Sequence, residues 1–531
     1  MWSSGNFFRY LIVCSSVVAA GCGQDNSAAT TPSGSPSLVL RRALSAEPDS
    51  LDPQLAQSVE AHTVLRDVCE GLVVLDRNAL PVPGAALAWE ISPDGLEYRF
   101  TLRARLRWSD GQPILARNFV AGLRRLATPD VAAPYAALTA LLRNGTAVLT
   151  SKMTPDKLGI VTDGETVVVA RLEHPAPEFL SWLAHPAACP YRDGTTGSPE
   201  FSGSGAFRVQ EYIAGSHVMI RKNAFYRDAN KVQLEGVRYA FIAASDTQYK
   251  LFRAGTLDVT SDIPRQLIAD LRTDPASGLN IAPRAATYFY GFNLQMPPLA
   301  SNVNLRAALS MAIDRRRLVA VLGAIESPAN TLVPPTTAGH VAASFLGIDN
   351  TNSPVMCNPE AKRRFSVAGF SSSKPLSVSL SYNAGGMHET IAIAVAAMWK
   401  ECLGVETLLR KSDFKSLLQD VAEGKTQVFR SSWTADYNSP LAFLEVFASA
   451  GANNQSRFAS KEYDRLLHLG RTAKTSDARE TALAQAESLL LSSYAIIPLY
   501  HQVSKRLISP RVKSWATNAL DVTYSRDVKI N

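Results

Sequence analysis

Asp436, Arg430 and His388 bring a carboxylate, a guanidinium and an imidazole into one short part of a 531-residue chain, with Trp433 and Tyr437 beside the acid. Such a set can hold a zwitterion. Asp436 would face an ammonium, and Arg430 or His388 would face a carboxylate through charge-assisted hydrogen bonds. Peptides and amino acids are zwitterions of this kind. Standing alone, Asp436 within Trp433-Thr-Ala-Asp-Tyr-Asn-Ser-Pro440 would read as an ordinary turn former. Its placement argues for more.

Leu376-Ser-Val-Ser-Leu-Ser-Tyr382 alternates as a strand and Gly385-Gly386 breaks it. Glu389 to Glu401 then has the composition of an apolar helix, which Gly404 can close at its C-terminal cap, and Val405 to Leu409 returns as a strand. The pattern repeats at once. Ser412 or Asp413 can cap a helix reaching Ala422, Gly424 ends it, and Thr426 to Ser431 is the next strand. Two successive βαβ units predict a parallel sheet with right-handed crossovers. Ligands of open parallel sheets settle outside the carboxyl ends of the strands, where His388 and Asp436 both fall.

Upstream, Leu38 to Leu44 reads as a first strand, and Ala88 to Leu102 reads as two strands turning at Pro93-Asp94-Gly95. Helical spacing of Phe119, Val120, Leu123 and Leu126 predicts a helix over Pro113 to Leu126, with Pro129 just beyond its end.

The composition is 46% hydrophobic and 19% charged, which suits two to four globular domains at roughly 150 residues each. The net charge is +7, but the basic residues are scattered and their densest runs are Arg124-Arg125 and Arg315-Arg316-Arg317. That excludes a nucleic-acid stripe. Catalysis lacks motif support: Met387-His388-Glu389-Thr-Ile-Ala392 has no second histidine for a zinc helix, Phe201-Ser-Gly-Ser-Gly-Ala206 is no nucleophile elbow, and no phosphate loop occurs. Neither His340 nor His501 has a partner at metal-ligand spacing, so no metal and no cofactor is expected.

The N-terminus combines Arg9, an apolar run from Tyr10 to Ala20, and Gly21-Cys22. This is the layout of an export signal, too short to span a membrane stably. Ala19-Ala20-Gly21 before Cys22 resembles the lipobox of bacterial lipoproteins, although Ala19 stands where leucine or valine is commoner and the charged region has a single Arg. Residues 1–21 are then a signal peptide, Cys22 is the lipidation site, and residues 22–37 are a flexible tether. Cys69, Cys189, Cys357 and Cys402 remain, which allows three full pairings among which the sequence does not choose, and isolated buried thiols are equally compatible.

Further stretches lie along the mature chain: Glu47-Pro-Asp-Ser-Leu-Asp-Pro-Gln54, Asp67-Val-Cys-Glu-Gly-Leu-Val73, Pro83-Gly-Ala-Ala-Leu-Ala-Trp-Glu90, Ser92-Pro-Asp-Gly-Leu-Glu-Tyr-Arg-Phe100, and Leu102 to Pro113. Asn223 with Tyr226, Gly255 with Asp258, Asp314-Arg315 and Ile497-Pro-Leu-Tyr500 complete them. Together these resemble the bacterial extracellular solute-binding proteins of family 5, the receptors of oligopeptide and dipeptide ABC importers. Ala435-Asp436-Tyr437-Asn438 with Pro440 is closer to the oligopeptide-binding branch.

The resemblance implies an α/β, periplasmic-binding-protein-like fold of two hinged lobes plus an inserted domain. Lobe I would comprise 38–69, 198–287 and 504–531, lobe II 70–197, and lobe III 288–503. It implies that Asp436 binds the peptide α-amino group, that Arg430 and His388 lie near its carboxylate, and that Phe414 and Trp433 line side-chain pockets. Tyr437 joins the site from the same loop, and the backbone around Val59 pairs with the ligand. The partners implied are short peptides and the permease and ATPase subunits of the inner membrane, for a monomeric periplasmic receptor anchored through Cys22. Three departures bear on the site. Thr434 stands where the best-known oligopeptide binders carry a cysteine, Val421 where they carry a second arginine, and Ala79 at a common turn glycine. The carboxylate end is therefore poorer in positive charge, which leaves open a murein peptide, haem or another solute on the same scaffold. An exported hydrolase is the third reading.

Overall fold

The structure, a computed structural model, describes residues 38–192, 202–342, 357–451 and 453–531. The signal peptide, the tether and Cys22 lie outside the described residues.

Turn chemistry places the first hairpin where the sequence predicts it. Ala86–Ile91 and Glu97–Leu102 pair antiparallel, and Gly95 at the turn has φ +71°, a left-handed value that favours glycine. Val167–Arg171 and Ile160–Asp163 extend this to four strands. The helix Ala116–Ala127 lays Phe119, Leu123 and Leu126 on their core. It begins three residues later than its apolar spacing predicts, because Leu115 is still extended and Asn118 Oδ1 accepts the Leu115 N–H at 2.9 Å.

A second four-stranded sheet joins distant segments. Val39–Leu44 runs parallel to Gly236–Phe241, followed by His217–Lys222 and Phe207–Ile213. Val512, Val528 and Ile530 from the C-terminus pack into its core with Leu40, Leu44 and Val237. Residues of the stretches that carry the family resemblance serve this framework. Buried Glu70 accepts hydrogen bonds from Tyr226 Oη (2.6 Å), Arg227 Nε (2.8 Å) and Arg526 Nη1 (3.0 Å). Asp258 takes Arg41 and Arg511, and Asp67 takes Tyr239 and the Ser525 N–H. Buried carboxylates are tolerable when so fully partnered.

The largest sheet carries the predicted βαβ units. Ser377–Asn383, the helix His388–Leu403, Glu406–Ser412, the helix Phe414–Ala422 and Val428–Thr434 follow in order. Gly404 ends the first helix at φ +68°, and Asp413 caps the second through the Ser416 N–H. The three strands are mutually parallel, with Ser377–Asn383 in the middle. The sheet as a whole is mixed, however. Leu279–Phe292 pairs antiparallel with Val428–Thr434 on one side and with Ile496–Leu507 on the other. Both are long buried runs, supplied by segments far away in sequence. Trp399, fully buried, anchors the first helix to this layer and donates its indole N–H to the Leu309 carbonyl at 2.8 Å.

The cysteines pair as Cys69–Cys189 and Cys357–Cys402. Among the described residues, no helix is long and apolar enough to cross a membrane.

Candidate functional site

The strand Val428–Thr434 is the platform. Its whole length is paired with Ala286 to Phe292, but on its other side it meets Ser377–Asn383 only at Val428 and Phe429. From Arg430 to Thr434 that edge has no strand partner among the described residues. An open edge offers its N–H and C=O groups to an added strand. Arg430, Ser432 and Thr434 share one face of the strand, and Asp436 follows two residues after it.

At one end of this edge stands Arg430. Its guanidinium lies 5.1 Å from the Tyr288 ring centroid and donates to Ser432 Oγ at 3.3 Å, while its Nε is buried with no hydrogen-bond partner. No carboxylate pairs with it among the described residues. His388, the first residue of its helix, stacks on Tyr288 with centroids 5.7 Å apart, and its Nδ1 lies 3.1 Å from Tyr288 Oη. Burial, aided by Arg430, lowers the His388 imidazole to about 4. The histidine is therefore neutral near pH 7, a hydrogen-bonding group rather than the second cation that its residue type allows. Tyr500 stacks on the far face of the cluster, 4.9 Å from Tyr288.

At the other end stands Asp436. Its side chain is exposed, yet protein crowds it closely enough, with the Glu445 carboxylate adding repulsion, to raise it to about 6. Exposure together with desolvation describes a group in a cleft. Among the described residues the carboxylate has no hydrogen-bond or ion-pair partner. The loop that carries it is fixed on every side. Trp433 Nε1 donates to the Ala442 carbonyl (2.7 Å), Asn438 Oδ1 accepts from the Ala338 N–H (2.9 Å), and Asn438 Nδ2 donates to the Asn78 carbonyl (2.7 Å). Tyr437, expected at the site, is instead buried. Its hydroxyl donates to Glu445 at 2.9 Å and its ring packs 5.3 Å from Trp182, so it positions the loop.

Beside the strand lies a pocket of about 250 Å³. Phe414 and Trp433 both line it, with Arg430, Leu418 and Val421. Val59, whose surrounding backbone is expected to pair with the ligand, lies at a helix start. It is exposed and opens the helix Val59–Val68, where its carbonyl already accepts the Thr63 hydroxyl at 2.8 Å. Pairing through that carbonyl is unavailable, and only its first-turn N–H lacks a helical acceptor.

Two residues at the site escaped sequence reasoning. Tyr288 holds Arg430 and His388 together, and Tyr135, whose phenol is raised first by burial, also feels the charge of Asp436. Tyr288 sits in a buried run with no alternation, and Tyr135 reaches Asp436 from about three hundred residues away. No local signal marks either.

Residues 81–455 match the model of the bacterial extracellular solute-binding proteins, family 5. The chain belongs to this family. It is 34% identical over 504 residues to the periplasmic murein peptide-binding protein MppA of Escherichia coli, covering 92% of this chain and 93% of that one. It is 31% identical to the periplasmic oligopeptide-binding protein OppA of Salmonella typhimurium, covering 98% of each. Among solved structures, the unliganded open form of the murein tripeptide-binding protein MppA superposes with a TM-score of 0.83 at 34% identity, over 94% of this chain and 99% of that one. The family 5 fold, a mixed α/β periplasmic-binding-protein architecture, is thus the one described above.

Proposed function

We propose that this protein is the substrate-binding component of a peptide ABC importer, capturing short peptides outside the cytoplasm and delivering them to a membrane permease. The observation that carries the reading is the unpartnered Asp436 and an Arg430 with no carboxylate partner among the described residues, at the two ends of an open strand edge. A peptide adds to that edge through its backbone, so its side-chain sequence is read only loosely. Its ammonium meets Asp436 and its carboxylate meets Arg430. Six residues of extended chain separate these two by at most ~20 Å, which suits an extended peptide of about three to five residues once the arginine's own reach is subtracted. Tyr288 and His388 serve as neutral donors or acceptors around the carboxylate.

Tyr135 belongs to the proposed lobe II (70–197) and Asp436 to lobe III (288–503), with lobe I (38–69, 198–287 and 504–531) beneath. Hinge closure brings these faces onto the ligand. The protein acts as a monomer, held at the membrane by a lipid on Cys22 after removal of residues 1–21, with residues 22–37 as tether. A murein peptide is a second reading that the similarity to MppA favours. It keeps the ammonium at Asp436. The relatives are named as binding proteins, which supports binding without catalysis.

Thermal unfolding of ligand-stripped protein tests the proposal. Saturating tri- and tetrapeptides at one hundred times Kd should add about 2.7 kcal/mol of stability and raise Tm. No shift with any peptide of two to five residues would reject it.

A further inference from the structure

The pocket beside Arg430 has a composition that the capture of generic peptides does not require. It is walled by Phe414, Leu417, Leu418 and Val421 from one helix, by Phe429 and Trp433 from the platform strand, and by Val446 and Phe447 opposite. Ser431, Ser432, Asn453 and Gln455 supply neutral polar atoms. Among the described residues no carboxylate lines it, and its one ionisable residue is Arg430, whose guanidinium lies over the Tyr288 ring. Val421 is buried against Leu417 and Phe429.

Three consequences follow from this lining. A volume near 250 Å³ admits one large side chain with room for water. Most of its walls are aliphatic or aromatic carbon, so branched aliphatic and aromatic groups gain from leaving water there. A lysine or arginine side chain would lose hydration among aromatic walls with no acid there to compensate it.

We infer that this pocket makes the protein selective for peptides carrying a bulky apolar side chain, and that it rejects cationic ones at the same position. The inference rests on the peptide reading above. The position concerned lies in the carboxyl half of the ligand, because the pocket opens between Arg430 and Trp433 rather than beside Asp436.

The test is a positional scan of the ligand-stripped, full mature protein by calorimetry with Ala-Ala-Ala peptides in which each position in turn is Leu, Phe, Lys or Glu. Leu and Phe at one position should tighten binding roughly 10- to 100-fold over Ala, the amount that burial of such a side chain brings. Lys there should bind no better than Ala. Leu418, 41% exposed on the pocket rim, tolerates change. In Leu418→Glu the preference should invert toward Lys, and Phe414→Ala should lose affinity for Phe peptides selectively. If Ala-Ala-Ala and its variants bind with equal affinity, or Lys matches Leu at every position, this inference fails while the peptide reading stands. If no peptide binds, the peptide reading itself has failed.

Discussion

Binding of a free peptide should weaken as pH falls through about 6, and Asp436 should be the cause. Only the carboxylate form of Asp436 attracts an ammonium, and crowding plus Glu445 raises this acid to about 6 in the ligand-free protein. With that value, roughly 90% of the protein is ionised at pH 7 and roughly 10% at pH 5. Binding at pH 5 must first expel a proton. The observed affinity should therefore drop roughly tenfold between pH 7 and pH 5, about 1.4 kcal/mol. The groups placed around the ligand carboxylate, and the ligand itself, stay quiet across this window. His388 titrates near 4 and remains neutral, the ligand amine stays protonated, and its carboxylate stays ionised. The assay is calorimetry with one tripeptide at half-unit pH steps in two buffers of different ionisation enthalpy, which counts the proton released. Asp436→Asn should bind weakly and with a flat pH profile. An unchanged Kd from pH 7 to pH 5 in the wild type, or the same slope in Asp436→Asn, would refute the assignment of the ammonium to this acid.

Arg430→Ala should cost peptides with a free carboxylate about 2 to 5 kcal/mol and amidated peptides far less; equal losses by calorimetry would mean that Arg430 only supports the fold around Tyr288. Replacing both cysteines of Cys69–Cys189, which are 120 residues apart, should lower unfolding stability by up to about 5 kcal/mol in denaturant titration, and replacing Cys357 and Cys402, 45 apart, by up to about 4. Gly122→Ala would set a Cβ 2.2 Å from the Cys189 carbonyl oxygen and should destabilise by about 1 to 3 kcal/mol or more, read as a fall in Tm. Cys22→Ala should move the protein from membrane to soluble fractions on cell fractionation; a protein that is soluble before the change would remove the lipid anchor from the account.

Legibility in the sequence followed the range of the interactions. The hairpin around Pro93-Asp94-Gly95 and the two βαβ units were readable because glycines at positive φ, a capping aspartate and apolar periodicity all act within a few residues. That readable stretch also placed His388 and Asp436 beyond the carboxyl ends of their strands, while Arg430, expected near the end of a strand closing at Ser431, is the third residue of Val428–Thr434. The antiparallel half of the same sheet was not readable, since Leu279–Phe292 and Ile496–Leu507 find each other across two hundred residues and are buried without alternation. Cysteine pairing was undetermined for the same reason. Glu70, Asp67 and Asp258 could be picked out by resemblance, but their work as buried hubs for arginines and tyrosines appears only in three dimensions. Tyr437 shows the limit most directly. Its type and position suited a ligand, while packing against Trp182 and Glu445 turns it into the core.

Ala79 is the turn position at which the chain departs from a common glycine, and it adopts φ +58° all the same. The turn keeps its form because the Ala79 N–H donates to the Asp76 carbonyl and Asp76 Oδ1 accepts the N–H groups of Asn78 and Leu80. The Asn78 carbonyl of this turn is the one that receives Asn438 from the Asp436 loop. A local strain of roughly 1 to 2 kcal/mol is thereby held next to the proposed ammonium site.

The most direct test of the central claim is calorimetric titration of the ligand-stripped protein, beginning near Ser37, with a pool of two- to five-residue peptides beside the same pool N-acetylated. Peptide capture anchored on Asp436 predicts saturable heat with the free pool and none with the acetylated one. Equal heat from both pools would contradict the ammonium site, and silence with both would contradict peptide capture itself.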